Sequence, residues 1–255
     1  MHAVILSAGF GTRLYPLTKT VPKALLPVNG KPVIEYILNK LKSFNLKKTV
    51  IVTNEKYYPE FLKWILTYIP NHPLVLVSDG TKTEHEKLGA VGDLKFAVEQ
   101  NSIKDDVLLL VSDMIFSFSL NKFLSAIKKR RKQNWMLLYK LKDKTKASKY
   151  GVASLDKNDK VIRFEEKPQA PFSSYVAFGA YYLPECNLGL VDEFFKNTKE
   201  SPENEHDALG GYFKWLADKK SLFGYVQRSG VWIDIGDKKQ YERAEKLIIR
   251  RRRMF

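Results

Sequence analysis

The sequence is poor in cysteine and has no long hydrophobic run. Its single cysteine, Cys186, excludes an internal disulfide and a cysteine-based zinc cluster, as is usual in a reducing compartment. No apolar run approaches the roughly 18 residues that a membrane-spanning helix needs. The N-terminus passes directly into an apolar strand pattern rather than into a signal peptide. We therefore expect a cytoplasmic protein without a membrane span.

Acidic residues are also scarce relative to basic ones. The chain has 43 Lys and Arg against 28 Asp and Glu, which gives a net charge of +15. A basic field attracts nucleic acid, but it equally attracts triphosphates and sugar phosphates. The basic residues are spread along the chain except for the runs at 128–132 and 250–253. This distribution favours a solvated surface over a nucleic-acid interface.

Apolar patterns alternate between strand and helix along the chain. Short β-branched runs predict buried strands, and stripes with a spacing of three and four predict the intervening helices. This alternation predicts an α/β fold with a doubly wound, mostly parallel, Rossmann-like mixed sheet in one domain, residues 1–255. A hairpin at 150–168 and the strand after it predict a small β-rich insertion. The predicted strands are 3–6, 49–53, 74–77, 107–111, 135–141, 173–183 and 223–226, and the predicted helices are 32–44, 58–68, a helix ending near 100, 121–133, 188–197, 207–219 and 239–253.

A glycine-rich loop follows the first predicted strand. Open α/β sheets bind ligands at the carboxyl ends of their strands, and glycine lets backbone N–H groups approach an anion closely. Arg13 and Lys23 add positive charge near the same loop. Two glycines alone would suit an ordinary turn equally well, but together with these cations they predict a nucleoside triphosphate site. The residues assigned to the nucleotide here are Leu6, Ala8, Gly9, Gly11, Thr12 and Arg13.

The segments 9–14, 16–18, 22–28 and 31–36 resemble the signature of the sugar-1-phosphate nucleotidyltransferases, also called nucleoside-diphosphate-sugar pyrophosphorylases. In that family the glycine-rich loop wraps the base and the triphosphate. The resemblance implies that Arg13 and Lys23 bind phosphate. It also implies an enzyme of the 2.7.7 class that makes nucleotide sugars.

A second family motif identifies the residue expected to read the base. In the family, a segment similar to Leu88-Gly89 follows a polar residue that hydrogen-bonds to the base. Counting back from Leu88-Gly89 places this base-reading residue at Glu84, and the resemblance adds Gly89 to the nucleotide site. A carboxylate only accepts hydrogen bonds, and guanine offers two adjacent donors, so Glu84 favours GTP. A one-residue shift of the loop would replace it by His85 or Glu86.

The resemblance implies two metal ligands. Asp113 ends the most hydrophobic strand of the chain, where the family has a magnesium-binding aspartate, although an aspartate there could also merely cap a turn. Asp234 lies in a Trp-x-Asp-x-Gly motif that carries the second ligand. Mg²⁺ needs few carboxylates when phosphate oxygens and water complete its shell, so two acids suffice. The family usually continues with Thr-Pro, where this chain has Asp237 and Lys238.

The predicted hairpin carries the residues that the resemblance assigns to the sugar phosphate. Its two strands contain Tyr-Gly-Val and Glu-Glu-Lys-Pro, both of which recur in the family. The glycine and the second glutamate are expected to hold sugar hydroxyls, and the lysine the phosphate. Without the resemblance, the Glu-Lys pair would suit a surface ion pair equally well. The residues assigned to the sugar phosphate are Tyr150, Gly151, Glu166, Lys167, Val176 and Trp232.

The expected reaction joins a nucleotide to a sugar-1-phosphate with Mg²⁺ as cofactor and pyrophosphate as product. The favoured substrates are GTP and mannose-1-phosphate, because these are usual partners in the family. Uridylyl or thymidylyl transfer to glucose-1-phosphate is the alternative within the same class. A nucleotide-sugar sensor without catalysis and a nucleic-acid-binding protein are alternatives of other classes, and a homo-oligomer is compatible with the sequence.

Overall fold

The computed structural model describes residues 1–198 and 208–250. These residues form two compact units, each built from separate segments of the chain. The first unit comprises Met1–Lys87, Leu110–Ser119 and the described residues from Gly230 onward. The second comprises Leu88–Leu109 and the described residues of Leu120–Ser229. No helix in these ranges has the length and hydrophobicity that crossing a membrane requires.

The helices and strands follow the predicted alternation closely. The described α-helices are α1 Val33–Leu41, α2 Tyr58–Ile65, α3 Gly89–Gln100, α4 Asn121–Ile127, α5 Leu190–Asn197, α6 Leu209–Asp218 and α7 Lys238–Arg250. The described strands are β1 His2–Leu6, β2 Pro27–Val28, β3 Lys31–Pro32, β4 Thr49–Thr53, β5 Leu74–Ser78, β6 Val107–Val111, β7 Met114–Phe116, β8 Asn134–Lys140, β9 Gly151–Leu155, β10 Val161–Glu166, β11 Tyr175–Leu183, β12 Leu222–Gln227 and β13 Trp232–Asp234.

The main sheet of the first unit is parallel. Strand β1 pairs with β4, and β4 pairs with β5, each in parallel register. All residues of β1 and β4 are buried, as expected for strands covered on both faces. Helix α1 buries Val33, Ile34, Ile37, Leu38 and Leu41, the apolar stripe that the sequence predicts. This arrangement leaves the carboxyl end of β1 to continue into the glycine-rich loop.

A short antiparallel ladder in the first unit joins two segments that are far apart in the chain. Strand β13 pairs with β7, so that Asp234 lies opposite Met114. Helix α7 packs Ala244 and Ile248 into a hydrophobic cluster that also contains Ile115, Ile233 and Ile235. The ladder places the residues just before β7 beside the end of β13, which is where the two predicted metal ligands lie.

The second unit contains a mixed sheet with the predicted hairpin. Strands β9 and β10 are antiparallel, β11 is antiparallel to both β8 and β9, and β12 is parallel to β8. Helix α6 packs next to β10. Aromatic contacts stabilise this region, including the stacked rings of Tyr181 and Phe213, whose centroids are 3.8 Å apart. The predicted α/β fold, with a mostly parallel, Rossmann-like mixed sheet and a β-rich part, is confirmed.

Several predicted boundaries differ from the observed ones by two or three residues, and one predicted helix ends much earlier than expected. The helix expected at 121–133 ends at Ile127 and continues as a 3-10 turn, Lys128–Arg130. The five successive basic residues from 128 to 132 repel one another and supply no apolar stripe, which explains the early end. The helix expected at 207–219 is observed as α6, and its first predicted residue, Asp207, lies outside the described residues. The arginines at 251–253 likewise lie outside them.

Candidate active site

The glycine-rich loop occupies the carboxyl end of β1 in the first unit. It brings Leu6, Ala8, Gly9, Gly11, Thr12 and Arg13 together within eight consecutive positions. Gly11 has a φ of +62°, a left-handed conformation that glycine adopts without strain. A Cβ on Gly11 would approach Thr18 Cγ2 to 3.3 Å, whereas a Cβ on Gly9 would meet nothing within 4 Å. Backbone conformation therefore requires glycine at position 11, and the loop turns there into the 3-10 turn Thr12–Leu14.

Lys23 and Asp113 form an ion pair in the first unit. The distance from Lys23 Nζ to Asp113 Oδ2 is 2.6 Å, and the two side chains are 18% and 28% exposed. Lys23 lies in a 3-10 turn that begins after Pro22, and Asp113 follows strand β6. Partial burial strengthens the attraction between these charges relative to a pair in water. The predicted phosphate-binding lysine thus contacts a predicted metal ligand directly.

Asp234 belongs to the same charged cluster. Burial and the negative charge of Asp113 raise the pKa of Asp234 to about 7, while Lys23 and Arg13 oppose the shift. The β7–β13 ladder positions the two aspartates, because the Ile235 N–H donates to the Asp113 carbonyl oxygen at 2.7 Å. Arg13, Lys23, Asp113 and Asp234 therefore form one cluster of two cations and two carboxyl groups.

The segment after Asp234 is shaped by Asp237. Its carboxylate accepts a hydrogen bond from the Gln240 N–H at 2.8 Å, which caps the start of α7. The Gln240 side chain in turn accepts one from the Gly236 N–H at 2.8 Å. Asp237, at the position where the family has Thr, thus performs the capping role that a threonine side chain can also perform. The segment that follows Asp234 is therefore held by hydrogen bonds even though it has Asp237 where the family has Thr.

The cluster suits a divalent cation that brings other ligands with it. Among residues 1–198 and 208–250, no group of three or more His, Cys, Asp or Glu side chains could hold a metal ion. Burial and the negative charge of Asp113 raise the pKa of Asp234, because the two nearby carboxylates repel each other when both are ionised. A cation beside them would relieve that repulsion. Mg²⁺ commonly binds one or two carboxylates together with substrate phosphates and water. The two aspartates fit that requirement.

The loop predicted to read the base forms the 3-10 turn Glu84–Glu86. The Glu86 carboxylate accepts hydrogen bonds from the N–H groups of Lys82 and Thr83, at 2.8 and 3.2 Å, in a capping box. These bonds lower the pKa of Glu86 and occupy its carboxylate. Of the three candidates in this loop, Glu84 and His85 therefore retain exposed side chains without that structural role. Gly89, with φ +75°, begins α3 in the second unit.

The hairpin of the second unit brings together most residues assigned to the sugar phosphate. Glu166 pairs with Gly151 across β9 and β10, and Val176 of β11 pairs with Val152. The Lys167 N–H donates to the Tyr150 carbonyl at 3.0 Å, and Lys167 Nζ lies 3.5 Å from Glu166 Oε1. Lys167 has a φ of +47°, a strained conformation for a residue with a side chain, and such strain is common at functional sites. Trp232 lies on β13 in the first unit.

Two glycines border the Glu166 carboxylate. A Cβ on Gly151 would lie 2.9 Å from Glu166 Oε2, and a Cβ on Gly210 of α6 would lie 2.5 Å from the same atom. Both distances are shorter than real side chains allow. Gly210 was not among the predicted site residues, since a glycine near the start of a helix gives no signal of its partner in another part of the chain.

Three further residues, none of them among the predicted site residues, hold the glycine-rich loop. Asn54 Nδ2 donates to the Ala8 carbonyl at 2.7 Å, and the Tyr57 hydroxyl donates to the Phe10 carbonyl at 2.8 Å. Thr18 Oγ1 donates to the Gly11 carbonyl at 2.7 Å. All three side chains are buried. In the sequence, only the position of polar Asn54 directly after strand β4 could have pointed to Asn54 and Tyr57.

Comparison with known proteins supplies the family. The bifunctional protein GlmU of Methanococcus maripaludis is 32% identical over 241 residues, which cover 92% of this chain and 51% of GlmU. A protein of Oryza sativa named "Probable mannose-1-phosphate guanylyltransferase 1" is 30% identical over 244 residues, covering 94% of this chain and 63% of its own. The chain thus spans about half the length of the GlmU relative and somewhat more of the rice protein.

The fold is similar to that of a solved UDP-glucose pyrophosphorylase from Acinetobacter baumanii. The two structures align with a TM-score of 0.74 at 20% identity, over 96% of this chain and 92% of the other. At this identity the likeness concerns the fold alone. Residues 2–251 match the family described as nucleotidyl transferase. Because that match extends over almost the whole length, the chain belongs to the nucleotidyl transferase family.

Proposed function

We propose that this protein transfers a nucleotidyl group from a nucleoside triphosphate to a sugar-1-phosphate and releases pyrophosphate. The observation that carries the proposal is the cluster of Arg13, Lys23, Asp113 and Asp234 next to the glycine-rich loop of the first unit. Two cations suit a triphosphate, and two carboxyl groups suit its metal ion. The membership of the nucleotidyl transferase family supports the same reaction.

The chain's own residues would act by positioning and by neutralising charge. Arg13, Lys23 and the N–H groups of the glycine-rich loop hold the phosphates of the nucleotide. Asp113 and Asp234 would hold Mg²⁺, which supplies positive charge at the phosphate groups when it is bound. An oxygen of the sugar phosphate forms a bond to the α-phosphorus as the bond to pyrophosphate breaks. A phosphate monoester is itself a nucleophile, so positioning and electrostatics supply the catalysis.

The second unit contributes most of the residues that we assign to the sugar-1-phosphate, and Trp232 belongs to the first unit. Glu166 is well suited to accept hydrogen bonds from sugar hydroxyls. Because Gly151 and Gly210 have no Cβ, they leave room for its carboxylate at this position. Lys167 supplies a charge for the phosphate, and Tyr150, Val176 and Trp232 complete the set that the family motifs imply. On this proposal both units serve one catalytic domain.

GTP and mannose-1-phosphate are the substrates that we favour. The side chain of Glu84 accepts hydrogen bonds only, which suits the N1–H and 2-amino donors of guanine. The engagement of Glu86 in a capping box removes one of the two competitors of Glu84 in this loop. The rice relative carries the name of a mannose-1-phosphate guanylyltransferase, which supports the same choice. Uridylyl or thymidylyl transfer to glucose-1-phosphate is the alternative.

Pyrophosphate release with Mg²⁺ tests the proposal. We would assay GTP, UTP, dTTP, CTP and ATP against mannose-1-phosphate and glucose-1-phosphate, with Glu84→Gln beside the wild type. We expect turnover with GTP, and a loss of the preference for GTP over UTP and dTTP in Glu84→Gln. Turnover of the wild type with UTP or dTTP alone would refute the role of Glu84 and leave the reaction class intact.

The metal ligands have a separate test. In Asp113→Asn we expect pyrophosphate release to fall by orders of magnitude while circular dichroism remains that of the wild type, because the amide keeps the shape but not the charge. Near-normal release would show that Asp113 binds no essential metal ion. Absence of turnover in the wild type with every substrate pair would instead favour a nucleotide-sugar sensor.

The net charge of +15 motivates a test for nucleic-acid binding. Gel shifts at about 150 mM salt separate specific binding from phosphate attraction, since nonspecific binding weakens steeply with salt. We expect no retained complex at that salt concentration. A stable complex would support the nucleic-acid alternative.

A further inference from the structure

The glycine-rich loop is held through its carbonyl groups. The carbonyl oxygens of Ala8, Phe10 and Gly11 accept hydrogen bonds from the side chains of Asn54, Tyr57 and Thr18 respectively. Within the described part of the chain, the N–H groups of residues 8–13 donate to no acceptor. The fold therefore occupies the loop's acceptors and leaves its donors for a ligand, which is the condition for an anion-binding loop.

Tyr57 has the most extensive part in this arrangement. Its side chain is fully buried, and its hydroxyl contacts the Thr18 carbonyl as well as that of Phe10. A hydroxyl has one proton, so it donates to one of these carbonyls at a time. The two carbonyls belong to the opposite ends of the loop segment 10–18. One side chain thus links both ends of the loop to the start of α2.

Asn54 fixes Tyr57 in turn. The Tyr57 N–H donates to Asn54 Oδ1 at 3.0 Å, while Asn54 Nδ2 donates to the loop at Ala8. Asn54 is fully buried and follows directly after β4. Both ends of its amide are therefore used, one toward the helix and one toward the loop. The segment between β4 and α2 therefore contacts the glycine-rich loop through the side chains of both Asn54 and Tyr57.

We propose that Tyr57, supported by Asn54, is a positioning residue for the nucleoside triphosphate, acting through the backbone of the glycine-rich loop. This inference rests on the proposed function, because it assumes that the loop binds the triphosphate. Loss of the hydroxyl frees the Phe10 and Thr18 carbonyls to move and allows the loop's N–H groups to leave the geometry that the phosphates need. The expected change in affinity is at most the contribution of one buried hydrogen bond, about 1 kcal/mol or roughly fivefold.

The test compares Tyr57→Phe with Tyr36→Phe. Tyr36 is a matched control, since it is also buried in the first unit and its hydroxyl donates to a backbone carbonyl, that of Val28, at 2.8 Å. Both variants lose one buried hydroxyl and keep the ring. We expect similar small losses of melting temperature in the two variants. Only Tyr57→Phe should raise the KM for the triphosphate, by up to about fivefold, with the KM for the sugar phosphate unchanged.

Equilibrium binding separates the failure of this inference from the failure of the proposed function. We would titrate wild type, Tyr57→Phe, Tyr36→Phe and Thr18→Val with each of GTP, UTP, dTTP, CTP and ATP, in the presence of Mg²⁺ and the absence of a sugar phosphate. Weaker binding confined to Tyr57→Phe supports the inference, as would the same change in Thr18→Val, which removes the bond to Gly11. Equal binding by all variants overturns the inference and leaves the function standing. A wild type that binds none of the five triphosphates overturns both.

Discussion

Replacing Asp234 by asparagine should stabilise the metal-free protein at alkaline pH. Burial and the charge of Asp113 raise the pKa of Asp234 to about 7, from an ordinary value of 3.8. Between these two values the folded protein keeps a proton that the unfolded chain has lost. Folding stability due to Asp234 is thus fully present below the lower value and is lost as the pH rises through the upper one. Asparagine has the shape of the protonated side chain and no such dependence.

The size of the effect follows from the shift. Each pKa unit corresponds to about 1.4 kcal/mol, so from pH 5 to pH 8 the wild type could lose at most about 3 kcal/mol that the variant keeps. Asp234 is partly exposed and opposite charges lie nearby, so we expect about 1 to 3 kcal/mol. For a chain of this size that is a change of about 3–10 °C in the difference between the two melting temperatures.

The assay is thermal unfolding of the metal-free proteins between pH 5 and pH 8. We expect the melting temperature of Asp234→Asn to exceed that of the wild type increasingly as the pH rises. Asp156→Asn is the control, because the carboxylate of half-buried Asp156 accepts hydrogen bonds from the N–H groups of Lys160 and Asn158, which lower its pKa, so that it is ionised in both states over this range. Its difference from the wild type should be constant. Parallel curves for Asp234→Asn and the wild type would refute the raised pKa.

Two further predictions concern other contacts of the site. Lys23→Met should bind Mn²⁺ several-fold more tightly than the wild type in the absence of nucleotide, measured by calorimetry, because the 2.6 Å ion pair no longer competes for Asp113; unchanged or weaker binding would contradict this. Gly210→Ala should raise the KM for the sugar phosphate with little change in melting temperature, because its Cβ would displace the flexible end of Glu166. Gly189→Ala, where a Cβ meets nothing within 4 Å, is the control and should leave both values unchanged.

Local patterns predicted much of the fold. The strands at 49–53 and 107–111 agree with β4 and β6 at both ends, because each is a buried apolar run bounded by polar residues. The apolar stripe of α1 is equally clear in the sequence, and Pro32, the first residue of the predicted helix, lies directly before the observed one. These elements can be predicted because their pattern of apolar and polar residues is local and can be read from the sequence alone.

The short strand β7 was missed for the opposite reason. Met114–Phe116 has three residues, too few for a periodic pattern, and its partner β13 lies far away in the chain. The pairing nevertheless determines where Asp113 lies, since the Ile235 N–H bonds to its carbonyl. The family motifs assign Asp113 and Asp234 to one metal site, and the structure brings the two residues into one charged cluster. The raised pKa of Asp234 and the contact of Asp113 with Lys23 depend on distances that no local pattern contains.

The same limit applies to the residues that hold the loop. Asn54 and Tyr57 act through side-chain hydrogen bonds to backbone carbonyl groups of residues 8–18, which every residue type has. Nothing in the loop's own side chains identifies them. On our proposal, the nucleotide site combines a sequence motif that supplies hydrogen-bond donors with surrounding residues that occupy the acceptors. The motif can be recognised in the sequence. The residues that bind the loop's carbonyl groups can be identified only from the structure, when each carbonyl is assigned its hydrogen-bond partner.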